Sequence, residues 1–443
     1  MSRKSIAWVF FLLWIPLTGC ADLPYWLGGS PANPISVKDQ DKRLPVVAAD
    51  ALVAPDSDAQ RFIIDVPDQA SNRDWMSINA AMQFGHLGIT GLKRDASVAA
   101  GEGADYEQGL VPNIVIVDGV LYSMDGVGAI SAHKTKDLDT KIWTSDTLIE
   151  EDEPALIGGG LAYQNHVLYA TTGYGKVGAF DAKTGKKLWL ERVGVPVRGS
   201  PQVAGNVVVI VTVDNQTLAF DTTSGRTVWT HRGIKETAGY LSAQSPVIDS
   251  GIVLAAYSSG ELAALRIENG VPLWGDTLIN PEHTRASDVF TGIDADPVVK
   301  DSIVYAISTS GSMVANALLN GRSLWQQKID GHNTPWVAGN MVYLLSSNHQ
   351  LVALSRAQGK IIWAINLAIT INGHDRTPHL FGPILAGNAL LVVNDEGELL
   401  TFRPRDGKKL GVYDVVSGVA AAPVIADGTL YLITKGADIV SYK

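Results

Sequence analysis

The chain has 443 residues, with 45 acidic residues against 35 Lys and Arg and a formal net charge of −10. This balance argues against nucleic-acid binding, because contact with a phosphate backbone needs a basic surface. The single cysteine, Cys20, excludes a disulfide within the chain, so stability must come from packing, and a chain of this length can bury an ample core.

The first residues have the organisation of an export signal. Arg3 and Lys4 precede an apolar run that ends in Leu17-Thr18-Gly19-Cys20. The run is shorter than the roughly 20 residues that a membrane-spanning helix needs, which favours a secretory signal peptide. An ordinary signal peptide cut near Gly19 is the alternative, but it would leave Cys20 as a free thiol in an oxidising compartment.

The Leu-Thr-Gly-Cys ending resembles the bacterial lipobox. The resemblance implies that Cys20 becomes the first mature residue and carries lipid, and Ala21 at the next position implies the outer membrane. Each buried methylene of an acyl chain adds roughly 0.8 kcal/mol of membrane attachment. We therefore predict a signal peptide over residues 1–19, a lipid-anchored tether over 20–60 and a folded domain over 61–443 that faces the periplasm.

A repeat with a fixed pattern follows the tether. In five segments a glycine precedes a tryptophan by four residues and an alanine precedes it by ten. A degenerate earlier copy ends at Trp143, and a later copy has lost the tryptophan and ends at Gly411. The spacing averages about 45 residues, which is the length of a four-stranded propeller blade. The predicted docking tryptophans are Trp143, Trp189, Trp229, Trp274, Trp325 and Trp363.

Each repeat predicts short strands separated by Gly, Asn and Asp turns, with no convincing helical period. We therefore predict an all-β, eight-bladed β-propeller of four-stranded antiparallel blades, with a tryptophan packed at each seam. The last repeat supplies only about three strands. We expect the fourth from the N-terminal side, around Asp74-Trp75-Met76, because closure by both termini removes an exposed sheet edge.

The other motifs in the sequence do not predict a catalytic, metal or cofactor site. Gly173–Gly178 matches the dinucleotide pattern G-x-G-x-x-G, but it links two predicted strands, whereas that pattern needs a helix after it. The closest histidine pair is His374 and His379, and no Cys/His cluster accompanies it. We predict no catalytic, metal or cofactor residues.

The segment Ala179–Trp189 resembles the docking motif of quinoprotein-type propellers. That group includes pyrroloquinoline-quinone dehydrogenases and non-enzymatic relatives. The enzymes pair adjacent cysteines near the cofactor and bind calcium, whereas the one cysteine of this chain is assigned to lipid. A quinoprotein-like dehydrogenase or a ligand-binding propeller stays open as the alternative function.

Lipobox, tether and eight blades together resemble the BamB family of outer-membrane protein assembly factors. The more specific match lies in Val195–Pro201 and Ile293–Pro297. The resemblance implies that Val195, Val197, Arg198 and Asp294 contact BamA, the central barrel subunit of the assembly machinery, through its periplasmic POTRA domains. The valines replace the family's usual leucines, the glutamate that often follows Arg-Gly is missing, and a second family aspartate falls on Gly292.

The repeat places two of these residues on one face of the disc. Arg198 and Asp294 each lie three residues before a proline that leads into an inner strand, while the equivalent positions elsewhere hold Ala243, His332, Leu380 and Ala420. An exposed ion pair between Arg198 and Asp294, worth roughly 0–1 kcal/mol, is the alternative. The predicted function is an outer-membrane scaffold that binds BamA, other assembly lipoproteins and unfolded outer-membrane proteins. A propeller of another envelope complex also stays open.

Overall fold

The computed structural model describes residues 52–101, 103, 114–146, 158–235, 244–279, 292–367 and 378–443. The strands in these residues form eight four-stranded antiparallel sheets. The predicted eight-bladed propeller is therefore confirmed. None of the described helices is long and apolar enough to span a membrane.

Blades 1 to 7 follow one another along the chain, and each runs from an inner to an outer strand. Blade 1 contains β2 Val115–Val117, β3 Val120–Met124, β4 Ile130–Lys134 and β5 Asp137–Ser145, and blade 2 contains β6 Gly159–Gln164, β7 Val167–Thr172, β8 Lys176–Asp181 and β9 Lys187–Arg192. Blade 3 contains β10 Gln202–Ala204, β11 Val207–Val211, β12 Gln216–Asp221 and β13 Thr227–Arg232, and blade 4 contains β14 Val247–Asp249, β15 Ile252–Ala256, β16 Glu261–Arg266 and β17 Pro272–Thr277. Blade 5 contains β18 Val298–Lys300, β19 Ile303–Ile307, β20 Met313–Ala317 and β21 Ser323–Gln327. Blade 6 contains β22 Trp336–Ala338, β23 Met341–Leu345, β24 Gln350–Ser355 and β25 Ile361–Asn366, and blade 7 contains β26 Leu380–Ala386, β27 Ala389–Asn394, β28 Glu398–Phe402 and β29 Lys409–Asp414.

The seams between blades repeat one contact. The indole N–H of each of the six docking tryptophans donates to a backbone carbonyl of the next blade, at 2.7–3.1 Å. The glycine in the last turn of that next blade has φ between 66° and 72°. A Cβ atom on it would come within 2.5–2.9 Å of an indole carbon of the docked tryptophan. Backbone conformation and close approach therefore both require glycine at these turns.

Blade 8 closes the ring with strands from both ends of the described chain. It contains β30 Val424–Ala426, β31 Thr429–Ile433 and β32 Asp438–Tyr442, and its outer strand is β1, Arg94–Ala99. The expectation that Asp74-Trp75-Met76 would supply this strand is wrong. Trp75 instead exchanges two backbone hydrogen bonds with Ile116 in blade 1. An outer strand needs only backbone partners on one edge, so the largely exposed Arg94–Ala99 can close the sheet without a tryptophan.

Residues 52–93, here called the strap, cross one face of the disc. This turn face carries the turns between the first and second strands of the blades. The strap pairs with those turns through Leu87 N–H to Leu385 O at 3.0 Å and Thr90 N–H to Gly428 O at 3.3 Å. It contains a short 3₁₀ turn, Ala59–Arg61, and helix α1, Ile78–Ala81, whose first turn is capped by Ser77. The opposite face carries the connections between blades and is called the loop face.

Candidate partner-binding face

Four equivalent residues on the loop face form a series of hydrogen bonds around the axis, here called the axial ring. Each immediately precedes the proline at the head of an inner strand, in blades 3 to 6. The backbone N–H of one residue donates to the side-chain oxygen of the next: Ser200 to Ser245 at 3.1 Å, Ser245 to Asp296 at 2.6 Å, and Asp296 to Thr334 at 3.3 Å.

An axial cavity of about 240 Å³ lies against this ring. It is lined by residues at the heads of inner strands from most of the blades and by Trp75, Ser77, Ile78 and Asn79 of the strap. The strap therefore contributes to the wall of the cavity from the turn-face side. Arg198 and Asp296 are the charged residues in this lining.

Asp296 is the one ionisable member of the axial ring. Burial raises the pKa of its carboxyl from 3.8 to about 6, because the charged form loses hydration. The hydrogen bonds from Ser245 act in the opposite direction, but they do not cancel the cost of burial. The cavity therefore keeps a carboxyl group that changes charge just below neutral pH.

The loop that contains Arg198 is held rigidly between blades 2 and 3. Arg198 O accepts a hydrogen bond from Gly159 N–H at 2.8 Å, and Val197 N–H donates to Thr172 O at 3.2 Å. Val197 is fully buried and packs with a core cluster that includes Trp189. Of the two predicted valines, Val197 therefore supports the loop from below, whereas Val195 is partly exposed.

The side chain of Arg198 belongs to the lining of the axial cavity. Arg198 is half-buried, and burial lowers the pKa of its side chain from the usual value. A Cβ atom on Gly158 would come within 2.8 Å of Arg198 Cα. Close backbone packing therefore fixes where this side chain starts.

Asp294 pairs with His332, the residue at the equivalent position of the next connection. Asp294 Oδ2 lies 3.2 Å from His332 Nδ1, and the two side chains are 14% and 49% exposed. The hydrogen bond to Asp294 raises the pKa of His332, against the effect of burial. Within the described residues, His332 is the ion-pair partner of Asp294, so the alternative in which Arg198 takes that place is wrong.

Gly292 stands where the resemblance would place a second aspartate. Close packing around this position explains why the residue is a glycine. A Cβ atom on Gly292 would approach Ser258 O to 2.9 Å, and Gly292 O accepts the backbone N–H and the hydroxyl of Thr309, each at 3.0 Å. A larger residue would have to move this connection. Gly292 therefore adds no second carboxylate beside Asp294 in the described part of this loop.

His332 and Asp296 had no predicted role. The repeat alignment that selects Arg198 and Asp294 also selects His332, which lies three residues before Pro335. The signal for Asp296 was a run of small polar residues before the strand-leading prolines, with Asp296 as its single charged member.

The quinoprotein enzymes of the resemblance hold calcium beside their cofactor, which requires a cluster of oxygen ligands in the cavity. The described ranges contain no group of three or more His, Cys, Asp or Glu side chains that could bind a metal ion. Asp296 is the one carboxylate in the cavity lining. The described residues of the cavity therefore do not fit a calcium-supported quinone. Cys20, the predicted lipid site, lies outside the described residues.

Eight radially arranged blades, tryptophans docked across the seams and a small axial cavity define a propeller of the quinoprotein-like class. Within that class, the model of the family described as "Outer membrane protein assembly factor BamB" matches residues 124–365. The chain belongs to this family.

Individual relatives agree with this assignment. The outer membrane protein assembly factor BamB of Yersinia pestis is 25% identical over 317 residues, which are 70% of this chain and 79% of that protein. The crystal structure of BamB from Moraxella catarrhalis aligns with a TM-score of 0.67 at 20% identity, over 80% of this chain and 99% of that one. The quinohemoprotein alcohol dehydrogenase of Comamonas testosteroni aligns with a TM-score of 0.65 at 14% identity, over 84% and 81%. The fold alone is therefore shared with enzymes.

Proposed function

We propose that this protein is a non-enzymatic scaffold of the outer-membrane β-barrel assembly machinery, anchored by lipid on Cys20 and facing the periplasm. It binds the periplasmic POTRA domains of the central barrel subunit BamA through the loop face, next to other assembly lipoproteins, and aids insertion of outer-membrane proteins. Family membership supports the complex, and Arg198 and Asp294 are the residues proposed for the contact surface.

The observation that carries this proposal is the placement of two opposite charges on one face. Arg198 and Asp294 occupy equivalent connections separated by one blade, and each follows a fully buried apolar residue, Val197 or Ile293. Rigid loops of this kind lower the entropic cost of binding, because their conformation is set before the partner arrives. Arginine is also favoured at the energetic centres of protein interfaces.

The test is co-purification of BamA with the membrane-anchored protein in mild detergent. Arg198→Ala and Asp294→Ala are each expected to lose BamA while remaining folded by circular dichroism. Lys183→Ala is the matched control, because Lys183 is an exposed cation in a turn on the opposite face of blade 2. Retention of BamA by both loop-face variants, or its equal loss from the control, would contradict the proposed surface.

The anchor has a separate test. Cys20→Ser removes the only site for acylation in the sequence, so the protein should move from the outer-membrane fraction to the soluble periplasmic fraction. Fractionation with a palmitate label measures both location and lipid. Unchanged membrane attachment without label would show that another contact, and not Cys20, holds the protein at the membrane.

A further inference from the structure

The strap does more than cover the turn face, because its first residues also cover the outer edge of one blade. Asp56 N–H donates to Ile361 O at 2.9 Å, and Ile361 N–H donates to Asp56 Oδ2 at 2.6 Å. Two residues later, Asp58 forms an ion pair with Lys360, which ends the turn before β25. A turn with the spacing Asp-x-Asp, closed by Ala59 N–H donating to Asp56 O at 3.0 Å, thus satisfies both a backbone N–H and the charge of this edge.

The cover changes the exposure of one position in the outer strand. Ile362, which follows Ile361 in blade 6, is 9% exposed. At the same position in blades 2, 3, 5 and 7, Leu188, Val228, Leu324 and Leu410 are 52%, 48%, 39% and 53% exposed. These four blades therefore leave uncovered the apolar position that blade 6 keeps under the strap.

The same four blades repeat the other features of the covered edge. The register between the third and fourth strands shifts at the same place in each blade, so the first residue of each outer strand occupies the position of Ile361. A basic residue precedes it, as Lys360 does in blade 6. These exposed cations are Lys186, Arg226, Arg322 and Lys408.

Blade 4 differs at both points. Val271 replaces the basic residue, and Pro272, which has no backbone N–H, replaces the residue equivalent to Ile361. Leu273 is nevertheless exposed at 38%. Blade 4 therefore has the apolar contact without the cation or the donor, and it serves as a control within the same molecule.

We propose that the outer edges of blades 2, 3, 5 and 7 bind an acidic Asp-x-Asp turn of a partner polypeptide, in the manner in which Asp56-Ser57-Asp58 binds blade 6. The first aspartate accepts the outward N–H of the edge strand, and the second pairs with the basic residue of the preceding turn. Exposed backbone groups of a sheet edge and basic side chains that pair with acidic motifs are each used in peptide recognition. Because the sites repeat around the rim, a partner with several such segments gains avidity.

The test uses the full chain and a peptide that copies residues 52–60. Hydrogen exchange with and without the peptide is expected to slow at the starts of β9, β13, β21 and β29, and to stay unchanged at the start of β17. A peptide with both aspartates replaced by asparagine should give no protection. Equal protection of β17, or protection of β25 alone, would overturn the proposal, because it would indicate general edge adsorption or simple exchange with the strap.

Two variants sharpen the assignment. Lys186→Glu is expected to abolish protection at blade 2 and to leave blades 3, 5 and 7 unchanged. The double substitution Val271→Lys and Pro272→Ile gives blade 4 the features of blade 6, and it should create protection at β17. Sedimentation of the chain without peptide tests whether a second copy of the chain supplies the segment. In that case the chain self-associates and these edges are protected without peptide. This outcome would overturn binding of a different partner protein.

Discussion

Two buried rings on the turn face and two carboxyl groups on the loop face differ in how their polar atoms are satisfied. On the turn face, the indole N–H of Trp336 donates to Gly85 O at 2.8 Å. Both ring nitrogens of His86 also form hydrogen bonds there. Nδ1 lies 2.9 Å from Pro67 O, and Nε2 accepts from the backbone N–H of Asn388 at an N···N distance of 2.9 Å. On the loop face, Asp296 carries a raised pKa, and Asp294 Oδ1 is buried with no hydrogen-bond partner in the described ranges.

This difference separates stability from binding. A buried polar group without a partner costs about 1–3 kcal/mol, and a buried carboxylate costs more. Proteins keep such costs at functional sites and recover the stability elsewhere. The strap therefore supplies stability on the turn face, while the loop face retains groups that a binding partner or a proton can satisfy.

The largest expected effect tests the stabilising face. Trp336→Ala removes a fully buried side chain and its hydrogen bond to the strap, so the free energy of unfolding should fall by about 3–5 kcal/mol. Trp336→Phe is the matched control: it keeps much of the apolar volume and should lose less, with about 1 kcal/mol of the loss coming from the hydrogen bond. Denaturant unfolding monitored by circular dichroism measures both. A loss below about 1 kcal/mol for Trp336→Ala would contradict a stabilising role for the strap.

The next prediction tests the free-energy cost of ionising Asp296 on the loop face. The folded-state pKa of Asp296 is about 6, above its usual 3.8, so this group's contribution to stability is fully present below pH 3.8 and is lost as the pH rises through 6. The difference corresponds to roughly 3 kcal/mol at neutral pH. Asp296→Asn keeps an acceptor for Ser245 N–H and should stabilise the protein at pH 7.5 by up to that amount.

Unfolding measured from pH 4 to pH 7.5 checks this prediction. Between pH 4 and pH 6, part of the fall in the free energy of unfolding of the wild type comes from ionisation of Asp296. Asp296→Asn should lack that part of the fall. Asp427→Asn, an exposed aspartate on the turn face, is the control and should follow the wild-type curve. A variant that is less stable than the wild type at pH 7.5 would show that the charged carboxylate is stabilised by its surroundings.

The fold was predictable because its determinants are local and repeated. A glycine with positive φ and a tryptophan four residues later specify each seam, whatever the rest of the blade contains. The closing strand was not predictable in the same way. Arg94–Ala99 contributes backbone hydrogen bonds to one edge and few buried side chains, so its sequence carries little pattern, whereas Trp75 has the residue type of the repeat without its role.

The common face of the candidate residues was predictable, but the burial of each side chain was not. Alignment of the strand-leading prolines placed Arg198, Asp294 and His332 at equivalent positions, because connections of one type lie on one face of a propeller. Burial could not be inferred in the same way. Val197 and Val195 are the same residue type two positions apart, and only the packing of the loop against Trp189 decides that Val197 belongs to the core.

The smallest expected effect compares one histidine on each face. The hydrogen bond to Asp294 raises the pKa of His332 above its usual 6.5, whereas burial lowers the pKa of His86 on the turn face. The pair between His332 and Asp294 therefore contributes stability below pH 6.5, and this contribution is lost as the pH rises through the raised pKa of His332. Asp294→Asn should move the pKa of His332 down and leave that of His86 unchanged, as measured by NMR titration of the ring protons. If His332 titrates at the same pH in both proteins, the pair does not form in solution, and the carboxylate of Asp294 reaches a partner without first giving up a bond to His332.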